Sequence, residues 1–225
     1  MLNKELPAVS QLDEVLYARA LEELAGRDAH LAEVLKQHGP PPMWAREPGF
    51  ATLVYIILEQ QVSLASARAA YDKLCAAARP LTPRRFLKLN DQDLKRVGFS
   101  RQKMRYARLL AEELVSRRLD LRALTAMEDG AIRTRLTALK GIGPWTAEIY
   151  LLMALGRADA WPVHDLALAI AVQKVKKLRK RPSPERLEKM SAAWRPWRAV
   201  AARLFWHHYL SARKSKSEPS QKEET

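Results

Sequence analysis

Three groups of residues in this chain have types and spacings that could do chemistry. The stretch 139–151, LKGIGPWTAEIYL, sets two glycines close to a proline and a tryptophan between two helical patterns. Gly141 and Gly143 would let the backbone take positive φ and approach a ligand closely, and Pro144 can open a helix whose first N–H groups point outward. Backbone donors at the positive end of a helix dipole suit a phosphate, although the same pattern also serves as a plain connection. Asp165 stands just before LALAIAV, where a helix N-cap belongs, and capping keeps a carboxylate ionised and fixed. Gln60 and Gln61 interrupt an apolar helical run, a place where glutamines satisfied by the backbone are the ordinary occupants.

The elements that must position these residues are helices. Leu12, Val15, Leu16, Ala20 and Leu24 form one apolar stripe; Phe50, Leu53, Val54, Ile57 and Leu58 form another that continues through Val62, Ala65, Ala69 and Leu74. Tyr106, Leu109, Leu110 and Leu114 form a third, no strand alternation competes, and 8 glycines are too few for many hairpins. The expected class is all-α. Breaks fall at 39–49, 79–83, 156–157 and 181–184, with no solenoid repeat, and the residues from Ser211 on lack large apolar side chains and read as a disordered tail. With 225 residues and 48% hydrophobic content the chain can bury a core in one large domain or two small ones.

Charge points to the partner. The formal net charge is +14, which favours a polyanion, nucleic acid before membrane. Residues 1–42 hold four Lys and Arg against seven Asp and Glu, whereas 79–108 hold ten against two and 166–210 hold eleven against two. A single cysteine, Cys75, excludes an intramolecular disulfide framework and a four-cysteine zinc or iron–sulfur site. The first residues lack an apolar signal region and no stretch approaches a membrane span, so the expectation is a soluble, cytoplasmic protein without membrane contact.

The stretch LTALKGIGPWTAEIYLLMAL resembles the helix–hairpin–helix element of a DNA glycosylase superfamily, in which hairpin glycines and a helix precede an Asp; here that Asp is Asp165, in DAWPVHDLALAI. FATLVYIILEQQVSLASA, VGFSRQKMRYARLLAEEL and WRPWRAVAARLFW resemble the 3-methyladenine DNA glycosylase II, AlkA-like, branch, and the likeness covers about 45–210. The resemblance implies two helical lobes with a central cleft; some family members carry an extra N-terminal β domain, for which this chain offers no room or strand pattern, so none is expected. One lobe would be discontinuous, 1–48 with 158–210, and the other, 49–157, would contain the hairpin.

The same resemblance implies roles. Asp165 would be catalytic, a fixed anion facing the sugar while the C1′–N bond breaks through an oxocarbenium-like state. Trp145 stands where lyase-competent members carry a Schiff-base lysine, so the enzyme is expected to be monofunctional, with water as nucleophile. Gln61, with Gln60 beside it, would fill the hole left by an extruded nucleotide. Trp206 would wall the base pocket and stack on a cationic alkylated purine. Trp145, His164, Ile149 and His207 fall at or beside pocket positions, but His207 stands where a relative has an aromatic residue, His164 where one has an acid, and Ile149 replaces an aromatic. Lys140, Gly141, Ile142, Gly143 and Thr146 would contact the DNA backbone, and the main-chain carbonyls of Thr137, Leu139 and Ile142 would hold a structural cation. No other cofactor is implied. The expected function is excision of alkylated, 3-methyladenine-type bases from double-stranded DNA by a monomer. The rival readings are a non-catalytic helix–hairpin–helix module that binds DNA structure and a glycosylase/lyase for oxidised bases.

Overall fold

The computed structural model describes residues 11–217, and within them the chain is helical with no strand. It divides into two compact units, one formed by Ala45–Arg157 and the other by Gln11–Trp44 with the residues from Ala158 onward. The second unit contains α1 (Glu14–Arg27), α2 (Ala29–His38), α10 (Leu166–Val175), α11 (Pro184–Ser191) and α12 (Arg198–Ser217). The first contains α3 (Phe50–Glu59), α4 (Leu64–Ala77), α5 (Pro83–Phe86), α6 (Asp91–Arg96), α7 (Arg101–Val115), α8 (Asp129–Thr137) and α9 (Pro144–Met153).

Helix α3 is the centre of the Ala45–Arg157 unit because it is apolar on nearly every side. Leu53, Val54, Ile56 and Ile57 are fully buried, and α4, α7 and α9 pack around them. Arg46 ties the entering chain to this unit: its amide bonds the Met153 carbonyl at 2.8 Å, and its guanidinium makes a two-pronged pair with Glu59 at 2.9 and 2.6 Å. At the unit's far end the buried Arg157 donates to the carbonyls of Thr125 and Met127 and pairs with Asp129, which fixes the turn that leads into α8. Sequence periodicity carried the α3 stripe on through Val62. In the structure the helix stops at Glu59, Gln61 takes a left-handed φ of 56°, and the Ser63 hydroxyl caps a new helix by accepting from the Ser66 amide. Val62 and Leu64 are left exposed as a result.

In the other unit α12 is the axis, with Ala199–Ala202 and Leu204–Phe205 buried against α10, α2 and α1. Trp194 and Phe205 pack edge to face with centroids 4.9 Å apart. Three indoles on or just before α12 each donate to a carboxylate on another element: Trp194 to Asp28 at 2.8 Å, Trp197 to Glu23 at 2.7 Å and Trp206 to Asp165 at 3.1 Å. Burial works against the charge on Asp28, but the bonds from Lys176 and Trp194 overcome it and hold its pKa below the usual carboxylate value. The buried Arg203 adds a further tie, donating to the Met43 carbonyl at 2.7 Å, with burial lowering its pKa to about 10.

The stretch expected from residue 211 on as a disordered tail starts as helix. Helix α12 continues to Ser217, since a helix already nucleated by a buried segment extends cheaply, and Arg213 donates to Tyr209 Oη one turn back. The rest of that stretch, 218–225, lies outside the described residues.

Candidate functional site

The hairpin lies between α8 and α9. Its two glycines have different tasks. Gly141 has φ +94°, and a Cβ there would sit 2.1 Å from Tyr106 Cγ, so both the conformation and the close approach of α7 require glycine. Gly143 has an ordinary φ of −88°, and a Cβ there would meet nothing within 4 Å. The expectation that both glycines supply positive φ is therefore corrected: Gly143 keeps open space at the N-cap of α9, where Pro144 occupies the first turn and no side chain caps the helix.

The residues expected to touch DNA around this hairpin separate in the same way. Lys140 is exposed. Ile142 is 3% exposed and its amide bonds the Leu139 carbonyl at 3.0 Å, and Thr146 is 1% exposed. Both belong to the interior because an apolar residue and a first-turn hydroxyl hold the loop onto its own unit. Gln60 explains Thr146: its Nε2 donates to the Gly141 carbonyl at 2.9 Å and to Thr146 Oγ1 at 3.1 Å. Its amide thus holds the hairpin against the end of α3. Gln61 differs, exposed at the tip of the turn between α3 and α4 with its left-handed backbone.

Thr137 is the last residue of α8, and Leu139 and Ile142 follow it in the hairpin, where the Leu139 carbonyl accepts from the Ile142 amide at 3.0 Å. Among the described residues no group of three or more His, Cys, Asp or Glu side chains is arranged to hold a metal ion.

Asp165 is the N-cap of α10. Its Oδ1 accepts from the Leu168 amide at 2.7 Å and from Trp206 Nε1 at 3.1 Å, so the carboxylate is held in one orientation by two elements while remaining half-exposed. Trp206 is 7% exposed, which makes it a support for this carboxylate as much as a surface for stacking. His207 turns the other way: its Nε2 bonds the His38 carbonyl at 3.0 Å, and its ring lies 5.8 Å from that of His38 and 6.4 Å from that of Trp44. His164 is exposed and lies close enough to Glu185 to help lower that carboxyl's pKa, after the Ser183 hydroxyl bond. Ile149 is 3% exposed on α9 and packs in the interior of the Ala45–Arg157 unit, while Trp145 at the start of α9 is half-buried.

Residues 54–198 match the HhH-GPD superfamily of base excision DNA repair proteins. The chain belongs to this superfamily. It is similar to the alkylbase DNA glycosidase-like protein of Schizosaccharomyces pombe, 25% identical over 84% of this chain and 92% of that one. It is 33% identical to the probable bifunctional transcriptional activator/DNA repair enzyme AlkA of Mycobacterium tuberculosis, over 83% of this chain but 39% of that longer protein. The fold matches the S. pombe 3-methyladenine DNA glycosylase in complex with abasic DNA at a TM-score of 0.79 and 25% identity, covering 84% of this chain and 95% of that one. An HhH-GPD reading of the sequence alone misses what supports the site. The Trp206 indole bond spans 41 residues, and the Tyr106 ring over Gly141 spans 35, so no local pattern signals either. The only hint was the need for glycine at 141, which implies a close neighbour without saying which.

Proposed function

We propose that this chain is a monofunctional DNA glycosylase that excises alkylated bases of the 3-methyladenine type from duplex DNA in base excision repair. The observation that carries the proposal is Asp165, a carboxylate fixed by the Leu168 amide and the Trp206 indole in a chain of the HhH-GPD superfamily. The names of its relatives and the abasic DNA bound to the S. pombe glycosylase support the choice of substrate. As the C1′–N bond lengthens, positive charge spreads over C1′ and the ring oxygen, and an oriented anion lowers the energy of that state. The base leaves with the bonding pair, water forms the new bond to C1′ and releases a proton to solvent, and an abasic site remains. A purine alkylated at a ring nitrogen is already cationic and leaves as a neutral molecule, so bond lability contributes to selection along with stacking on an indole.

Gln61 is the residue that fills the vacated stack, and Lys140 with the open backbone at Gly143 meets a phosphate. A cation held by the carbonyls of Thr137, Leu139 and Ile142 would add positive charge beside that phosphate. Trp145 has no amine to form a Schiff base, which supports hydrolysis without strand cleavage. The chain acts as a monomer in the cytoplasm; among the described residues no helix is long and apolar enough to cross a membrane.

The test is incubation with duplex oligonucleotides bearing alkylated, deaminated or oxidised bases, with and without alkali, and with borohydride present. Alkali-dependent breaks at alkylated purines and no trapped adduct are expected. Binding without release of any base would favour a DNA-structure-binding module, and a borohydride-trapped band would favour a lyase.

A further inference from the structure

Helix α7 joins the two parts of the Ala45–Arg157 unit that the DNA reading uses. Gln102 Nε2 donates to Tyr106 Oη at 2.6 Å, and the Tyr106 ring covers Gly141 with no room for a Cβ. Between them Lys103 Nζ donates to the Leu58 carbonyl at 2.7 Å, near the end of α3 and just before Gln60. Burial lowers the Lys103 pKa, as expected for an ammonium committed to an internal carbonyl. The first turns of α7 are therefore locked to the hairpin on one side and to the last turn of α3 on the other.

On the flank of this locked face Arg101 and Arg105 stand exposed one turn apart, and Lys140 is exposed on the hairpin itself. None of the three has an ion pair or side-chain hydrogen bond among the described residues. Some other arginines of the region are paired. Arg96 is paired with Asp93, Arg108 with Asp91 and Arg118 with Glu113. Two like charges at i and i+4 repel, so the fold gains nothing by keeping Arg101 and Arg105 together without a carboxylate. A polyanion supplies the missing charge. Guanidinium groups suit phosphate because their planar fork can bond two oxygens at once. Side chains four apart on a helix stand about 5–6 Å from one another, a separation that two long arginines can match to successive phosphates of one strand.

We propose that Arg101 and Arg105 form a second phosphate grip for duplex DNA, carried beside the hairpin by the packing of Tyr106 on Gly141. The proposal rests on the DNA glycosylase reading above and adds to it a contact outside the hairpin. It also gives the basic excess at 79–108 a defined place of action. Contact with phosphates carries no base information, so the grip tightens binding to damaged and undamaged duplex alike.

The experiment is a salt titration of binding by fluorescence anisotropy, using an undamaged duplex and the same duplex with an abasic-site analogue. Arg101→Gln with Arg105→Gln is compared with Arg101→Lys with Arg105→Lys, and with Arg19→Gln plus Lys36→Gln, which removes equal charge from the acid-rich segment 1–42. Loss of two phosphate contacts should lower the slope of log K against log salt by about 2, for both duplexes. The lysine pair should keep most of the slope, and the Arg19/Lys36 control should keep all of it. Thermal melting of the glutamine pair should match or exceed the parent, since a like-charge repulsion is removed. A slope in the glutamine pair equal to that of the parent or of the control overturns this proposal while leaving the glycosylase reading intact. A parent protein that neither binds duplex nor releases a base overturns both.

Discussion

Replacing Asp165 by Asn removes a charge and leaves an oxygen where Oδ1 stands. That oxygen can still accept from the Leu168 amide, now 2.7 Å away, and from the Trp206 indole, now 3.1 Å away. Asn and Asp are near-equal N-caps, so the first loss is the interaction of the charge with the start of α10, about 0.3–1 kcal/mol. The second is the weakening of two charge-assisted hydrogen bonds toward neutral ones, about 1 kcal/mol together. At about 2–4 °C per kcal/mol for a chain of this size, Tm should fall by no more than about 8 °C. The chemical step responds on another scale. Loss of one preorganised electrostatic group costs about 2.7–4 kcal/mol in the transition state, or about 10²–10³ in rate. Affinity for abasic duplex should persist or rise, because a negative charge close to phosphates has gone. Single-turnover excision of 3-methyladenine, anisotropy on abasic duplex and a thermal melt on the same preparation separate these effects. Excision within a few-fold of the parent, in a variant that melts normally, refutes the reasoning and leaves Asp165 as a cap alone.

Other expected outcomes test the supports of the site. Trp206→Phe keeps an aromatic ring and removes the N–H that holds Asp165; since hydrogen bonds to charged groups contribute about 1.5–3 kcal/mol, single-turnover excision should slow about tenfold or more. An unchanged rate would mean that the indole only fills space. Gly141→Ala meets the Tyr106 ring at a positive φ and should cost more than about 1 kcal/mol of stability, whereas Gly143→Leu projects into open space, melts close to the parent and weakens binding to duplexes of every sequence. Equal melts for the two glycine variants would contradict the division of labour drawn for them. Gln61→Gly relieves a left-handed side chain and should hold or raise Tm while lowering excision, because nothing then fills the vacated stack; full excision by this variant would remove the wedge. His38 and His208 are driven below the usual histidine pKa by burial first, then by His207 for His38 and by His38 and Lys174 for His208. The unfolded chain takes up these protons first, so their stabilising contribution is complete above about pH 6.5 and is lost as pH falls toward the folded values. Melts from pH 7.5 to 5.5 should show that decline and His38→Gln with His208→Gln should flatten it; equal declines in both proteins would exclude the pair.

What the sequence made legible, and what it hid, follows from the range of the interactions. Helix periodicity, the Pro and Gly breaks and the Asp165 cap are local, and each is visible within a few residues. The break between α3 and α4 was hidden because the apolar spacing runs on through Val62 and Leu64, while the end is set by the Ser63 cap and the Gln61 backbone. Gln60 and Trp206 were hidden for a different reason: their polar atoms are spent on partners 81 and 41 residues away, which no local pattern encodes. Residue type suggested that each would act on DNA or on a base. Each hydrogen bond gives the polar group a partner inside its own unit: the Gln60 amide holds the hairpin, and the Trp206 indole N–H holds the Asp165 carboxylate. This sorting also indicates which groups remain for the ligand. A side chain whose polar atoms are satisfied inside its own unit would have to break those bonds before contacting a phosphate, at a cost of about 1–3 kcal/mol for each group left unpaired. Lys140, Arg101, Arg105, Gln61 and the open backbone at Gly143 carry no such cost. On the proposed function, DNA contact would fall to these groups, while Gln60, Thr146 and Ile142 would support the hairpin from within.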